Sequence, residues 1–149
     1  VEAIVKKELA VEPFERKNLT PNGYVLTVAE LLIPDKNLNI TEGTAKIPPK
    51  TWFLVSTKEY LKLVNLCAQL WLRTTFARKG VISSFGKVDA GFEGTLTLSA
   101  FNASESELEI KLGDRFAQIV FERLGSVPEM FYAQRSGNYM RQRGIKLEP

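Results

Sequence analysis

The sequence predicts an all-β fold, on three observations. First, segments rich in β-branched and aromatic residues dominate: "YVLTVAELLI" (Tyr24–Ile33), "TWFLVS" (Thr51–Ser56), "TLTLSAF" (Thr95–Phe101) and "RFAQIVFERL" (Arg115–Leu124). Second, turn signals divide them at short intervals, at "IPPK", "SFGK", "NASES" and "KLGD". Third, only two stretches read as helix, and both are short. Many short strands with regular turns point to a closed or double-sheet β architecture.

The elements follow in order. In "TLTLSAF" the apolar residues alternate, which puts Leu96, Leu98 and Ala100 on one face. "RFAQIVFERL" is apolar on both faces at its centre, as a fully buried strand would be. "KEYLKLVN" reads as a helical turn or two. "RTTFARKG" reads as a short helix, with Thr available as a cap and Gly80 as its stop. This helix start places Arg73, Thr74, Thr75 and Arg78 beside free backbone N–H groups. Two readings stand there: an anion site, or an ordinary surface helix with two arginines.

At 149 residues, 44% hydrophobic and 25% charged, the chain has the size and composition of one domain with a real core. We read residues 1–149 as a single domain, with 134–149 forming a C-terminal tail. No apolar run is long enough for a membrane helix, and the N-terminal stretch has no signal-peptide pattern. With one cysteine, Cys67, an internal disulfide is impossible. The expectation is a reducing, cytoplasmic compartment.

The absence of histidine excludes more. With one cysteine besides, the usual zinc sites, the zinc deaminase signature and His-activated nucleophiles are all ruled out. Chemistry must run on carboxylates, Arg, Lys, Tyr, Ser or Thr, with Mg²⁺ as the expected metal. Net charge is +3, a mild excess that does not itself argue for nucleic-acid binding. The aromatics are not interleaved with basic residues as a stacking platform needs. The tail from Gln134 to Leu147 carries Arg135, Arg141, Arg143 and Lys146 without an acidic residue. It is either a solvated basic tail or a binding segment. Asp89 stands between the glycines of "GKVDAGFEG", read as a hairpin from Gly86 to Gly94.

Four segments taken together resemble the dUTPase and dCTP deaminase superfamily in order and spacing: "PNGYVLTV" (Pro21–Val28), "RTTFARKGV" (Arg73–Val81), "GKVDAGFEG" (Gly86–Gly94) and "GDRFAQIVF" (Gly113–Phe121). "LVSTKEYLKL" and the tail "SGNYMRQRGI" (Ser136–Ile145) resemble the deaminase branch. The resemblance implies a distorted jelly-roll that assembles as a homotrimer with active sites between subunits. It also implies a deoxyribonucleoside triphosphate substrate with Mg²⁺. One branch hydrolyses dUTP to dUMP and pyrophosphate; the other deaminates dCTP without zinc, using a glutamate; a bifunctional type does both.

That glutamate lies ten residues past the Asp equivalent to Asp89, where this chain has Ser99 within "SAFN". The expectation is therefore a dUTPase centre in a deaminase-like frame. The alternatives are a dCTP deaminase, bifunctional or not, and a catalytically weak nucleotide-binding paralogue. On this reading Asp89 activates the attacking water. The hairpin backbone, Val88 included, reads the pyrimidine edge. Phe92 packs under the deoxyribose, although it also reads as a turn aromatic capping the core. Arg73, Thr74, Thr75 and Arg78 hold the phosphates, and Gln118 adds a phosphate or base contact. Asp114 and Arg115 pair across subunits. Tyr139, Arg141, Gln142 and Arg143 close over the triphosphate. Two positions depart from the pattern: Val25 replaces a usual Asp that organises Mg²⁺, and Asn138 stands where the deaminases often have Lys.

Overall fold

The computed structural model describes residues 1–149 and is built almost wholly of strands. Its centre is the long strand Gly23–Ile33, whose two ends serve different neighbours. Tyr24 to Thr27 pair with Arg115–Arg123, and Val28 to Leu32 pair with Thr51–Thr57. Register shifts at Val28/Glu30 and at Arg115/Ala117 mark where the strand changes partners. A bulge of this kind bends a strand and adds twist, and it curls the nine-stranded sheet. Beyond these partners, Leu66–Leu72 and Lys87–Val88 extend one side, while Thr97–Asn102 and Val81–Ile82 extend the other. A three-stranded sheet of Leu9–Glu12, Tyr60–Leu63 and Glu93–Gly94 and a pair of Thr44–Ile47 with Leu108–Lys111 complete the all-β, jelly-roll-like architecture.

The core lies within this curl. Leu26, Leu31, Ile33, Phe53, Val55 and Ile119 are fully buried. Phe116 is its aromatic hub, with the rings of Phe76, Phe53 and Phe85 at 5.1, 6.2 and 6.3 Å. The alternation read in "TLTLSAF" holds: Leu96, Leu98 and Ala100 point inward and Ser99 is exposed. Asn102 ends that strand as a buried staple. Its amide donates to the carbonyls of Ile47, Pro48 and Ser106, and its oxygen accepts from Ser104.

Two local expectations change. "KEYLKLVN" is not helical; Tyr60–Leu63 is a strand, paired on one edge with Leu9–Glu12 and on the other with Glu93–Gly94. Pairing on both edges overrides the helix propensity of Leu and Lys. The period-two burial of Leu61 and Leu63 around exposed Lys62 is its signature. "RTTFARKG" does form a short helix, Thr74–Ala77, with Gly80 at φ +82° closing it. Its N-cap, however, is extended Arg73, without a side-chain cap bond from either Thr. Buried Phe76 anchors this helix on Phe116 and leaves Thr74, Thr75 and Arg78 exposed.

One carboxylate is buried. Glu59 accepts from the backbone N–H of Thr27 at 2.9 Å and from its hydroxyl at 2.8 Å. Burial nevertheless outweighs these bonds and raises its pKa above the ordinary glutamate value of 4.5. Below that value both folded and unfolded chains hold the proton. As pH rises the unfolded chain releases it first, so stability falls until pH passes the raised folded pKa. Glu59→Gln keeps the shape and removes the titration. Its thermal midpoint, relative to wild type, should rise progressively from pH 4.5 toward neutrality and then level off. An offset that is constant across this range would contradict the assignment.

Candidate active site

The glycine-punctuated segment around Asp89 is not a hairpin. Lys87–Val88 pairs with Leu66–Leu72, whereas Glu93–Gly94 pairs with Tyr60–Leu63 in the other sheet. The turn between them is a crossover. It is pinned by a reciprocal pair: Gly91 N–H donates to the Leu63 carbonyl and Leu63 N–H donates to the Phe92 carbonyl, both at 2.9 Å. Phe92 N–H closes back on the Asp89 carbonyl, and Tyr132 N–H holds the Ala90 carbonyl. Gly91 has φ +85°, and a Cβ there would meet that of Phe131 at 2.9 Å, so the turn needs glycine.

This crossover opens into a pocket of about 590 Å³ that holds Val88, Asp89, Phe92, Tyr139 and Gln142. Ser99 lies on its wall, beside Leu54 and Trp52. The Trp52 indole is held by its N–H to Asp35 at 3.1 Å. Phe85 lines the pocket and packs on Phe116, joining the site to the core. Asp89 is exposed, and it is the one carboxylate on the wall. Phe92 is buried edge-on to Tyr132 at 5.8 Å, so it caps the core while presenting a surface to the pocket. The core-capping reading of this residue holds.

The tail is not a free solvated segment. It runs beside the strand that follows the crossover, with a parallel bridge between Gly94 and Gln142. Thr95 N–H donates to the Gln142 carbonyl at 3.0 Å, and the Gln142 amide donates to the Thr95 carbonyl at 2.6 Å. Further along, Ile145 N–H reaches Glu30 and Lys146 N–H reaches the Thr97 hydroxyl. Tyr139, Gln142, Lys146 and Leu147 thereby form one pocket wall within the same chain.

Other expected residues lie elsewhere. Arg73, Thr74, Thr75, Arg78, Gln118 and Arg141 are outside this pocket. Arg78 lines a separate cavity with Lys79, Ser104 and Glu107. Gln118 donates to Thr20 at 2.9 Å, and the Arg73 guanidinium reaches the Arg115 carbonyl at 3.4 Å. Arg143 stacks over Tyr60 at 4.3 Å rather than over the pocket. Asp114 accepts from Lys111 N–H and closes its own turn. Val25 is buried opposite Gln118. Sequence reading missed Trp52, Leu54, Phe85, Tyr132 and Leu147, which carry no motif; strand pairing places Trp52 and Leu54, whereas Phe85, Tyr132 and Leu147 come from a loop, a short helix and the tail.

No three His, Cys, Asp or Glu side chains gather to hold a metal. With a single carboxylate on its wall, the pocket does not fit a protein-held Mg²⁺, which takes oxygen ligands in near-octahedral geometry.

Comparison with known proteins agrees with this architecture. A dCTP deaminase-like family model matches residues 31–124. The dCTP deaminase of Thermococcus kodakarensis is 41% identical over 96% of this chain and 92% of its own. A probable deoxyuridine 5'-triphosphate nucleotidohydrolase of Sulfolobus islandicus rod-shaped virus 1 is 35% identical over 97% and 90%. Among solved structures, a mutant dUTPase from phage phi11 of S. aureus, which coordinates a structural Mg(II) ion, matches with TM-score 0.60. It is 19% identical, over 82% of this chain and 94% of that one. The fold is that of the dUTPase-like enzymes. The chain belongs to the dCTP deaminase-like family, within the dUTPase and dCTP deaminase superfamily.

Gly94 is where the tail and the crossover strand meet. It has φ +150°, and a Cβ there would meet the Gln142 N and O at 3.1 and 3.3 Å. Gly94→Ala should therefore loosen the tail at a cost of about 1–3 kcal/mol. Limited proteolysis should cut the variant first within 138–149, while wild type resists there. Equal protection in both proteins would show that the tail does not depend on this contact.

Proposed function

We propose that the protein hydrolyses dUTP to dUMP and pyrophosphate. The observation that carries this reading is the pocket's single carboxylate. Asp89 stands on the wall, and the place of the deaminase glutamate is taken by Ser99, a hydroxyl flanked by Leu54 and Trp52. Deamination needs a carrier to move protons at the cytosine ring, and neither a second carboxylate nor any histidine is present for that task. Hydrolysis needs one base. Asp89 orients a water against the α-phosphorus and takes its proton as the oxygen–phosphorus bond forms; pyrophosphate departs with the electron pair of the broken bond. In phosphoryl transfer, positioning and charge stabilisation supply most of the catalysis.

Around that step, backbone groups near Val88 read the uracil edge and Phe92 packs under the sugar. Gln142 and Tyr139 cover the nucleotide. Mg²⁺ accompanies the triphosphate as its counter-ion, without a cage of protein ligands. Arg73, Thr74, Thr75, Arg78 and Gln118 lie outside the chain's own pocket. In this proposal they serve the pocket of a neighbouring copy in a homotrimer, and the enzyme is cytoplasmic. The competing reading is dCTP deamination, favoured by the name of the Thermococcus relative.

Asp89→Asn should lower kcat for dUTP by about 10²–10⁴, the usual worth of a general base. Its affinity for α,β-imido-dUTP, a non-hydrolysable analogue, should stay within a few-fold of wild type. Unchanged turnover in the variant would remove Asp89 from the mechanism.

A further inference from the structure

We propose that Lys146 is the cation that binds the triphosphate from within the same chain. This rests on the dUTP reading above and adds a substrate-contacting residue to it. The pocket wall carries three charged side chains: Lys87, Asp89 and Lys146. The Lys87 ammonium is taken by Glu122 at 3.2 Å. The nine ion pairs of the chain leave Lys146 out. Its ammonium instead stands 5.9 Å from the centre of the Tyr139 ring, which lines the same pocket. The tail's other cations lie outside this pocket: Arg143 stacks on Tyr60, Arg141 is exposed, and Arg135 lines an adjoining cavity that Asp89 also borders.

The backbone under Lys146 is fixed, so the charge is delivered to a defined place. Lys146 N–H donates to the Thr97 hydroxyl at 3.1 Å, and Thr97 also lines the pocket. One residue earlier, Ile145 N–H donates to the Glu30 carboxylate at 3.2 Å, which the Asn39 amide also holds at 2.8 Å. An unpaired ammonium and an unpaired carboxylate thus face one cavity. That pairing suits a ligand with a reacting, anionic phosphate chain: Asp89 handles the water, and Lys146 neutralises phosphate oxygens. A lysine binds such oxygens as a compact charge, and an arginine can take its place where fork geometry is tolerated.

The test is calorimetric titration of α,β-imido-dUTP into wild type, Lys146→Gln and Lys146→Arg, with 2'-deoxyuridine binding followed by NMR as the control without phosphates. Loss of a charge-assisted hydrogen bond predicts affinity for the analogue about tenfold or more weaker in Lys146→Gln. Lys146→Arg should regain most of it, and deoxyuridine binding should not change. A merely structural lysine would move nucleoside and nucleotide binding together, and that result would overturn the proposal. So would unchanged analogue affinity in Lys146→Gln; if wild type still hydrolyses dUTP, this inference falls alone. A wild type that binds no analogue and turns over no dUTP would sink both this inference and the reading beneath it.

Discussion

Leu63 gives its N–H to Phe92 and takes the N–H of Gly91, and the position of Asp89 hangs on that reciprocal pair. Leu63 is itself buried in a strand held on both edges. The crossover therefore cannot slide without unpairing a sheet. A carboxylate on such a turn is exposed to water yet fixed in place, which is what activating a water requires. The same turn commits Gly94 to a backbone conformation that a tail can approach closely. The places of the Asp89 carboxylate, the Phe92 ring and the tail dock are thus consequences of one crossing between two sheets.

The wall opposite is set by strand register rather than by motif. Ser99 pairs with Leu54 and Phe101 with Trp52, so the face beside Asp89 is apolar apart from small hydroxyls. A carboxylate at Ser99 would alter the chemistry of the whole cavity, because it would be the second acid there. The chain's cations are divided: one enters through the tail, and the Arg73–Arg78 group lies outside. Such a division suits a pocket completed by a second copy of the chain, and it makes the tail more than a cover.

Much of this was legible in the sequence because period-two alternation survives in the fold. Leu96, Leu98 and Ala100 face inward as their spacing requires, and a short helix closed by Gly80 forms where "RTTFARKG" placed one, though Arg73 and not a Thr is its N-cap. Two failures have physical causes. "KEYLKLVN" contains good helix formers, yet two neighbouring strands claim its edges; "YLKL" already showed the alternation. The Gly86–Gly94 segment looks like a hairpin because glycines flank it, but its two arms pair with different sheets. No local pattern encodes that choice. Of the residues expected from sequence, Val88, Asp89, Phe92, Tyr139 and Gln142 line the pocket. Trp52 and Leu54 reach the pocket through long-range strand pairing and Tyr132 through a short helix near the C-terminus, and these were not expected. Arg141 was expected over the triphosphate as part of the basic tail that resembles the deaminase branch; its side chain is exposed and lies outside this chain's own pocket.

The central claim is that a pocket with one carboxylate hydrolyses and does not deaminate. The most direct measurement is product analysis after incubating the unmodified protein separately with dUTP and dCTP in Mg²⁺. The account predicts dUMP and pyrophosphate from dUTP, and from dCTP neither ammonia nor any uracil nucleotide. Ammonia release from dCTP at a rate comparable with dUTP turnover would contradict it, because a serine at position 99 would then be no bar to deamination.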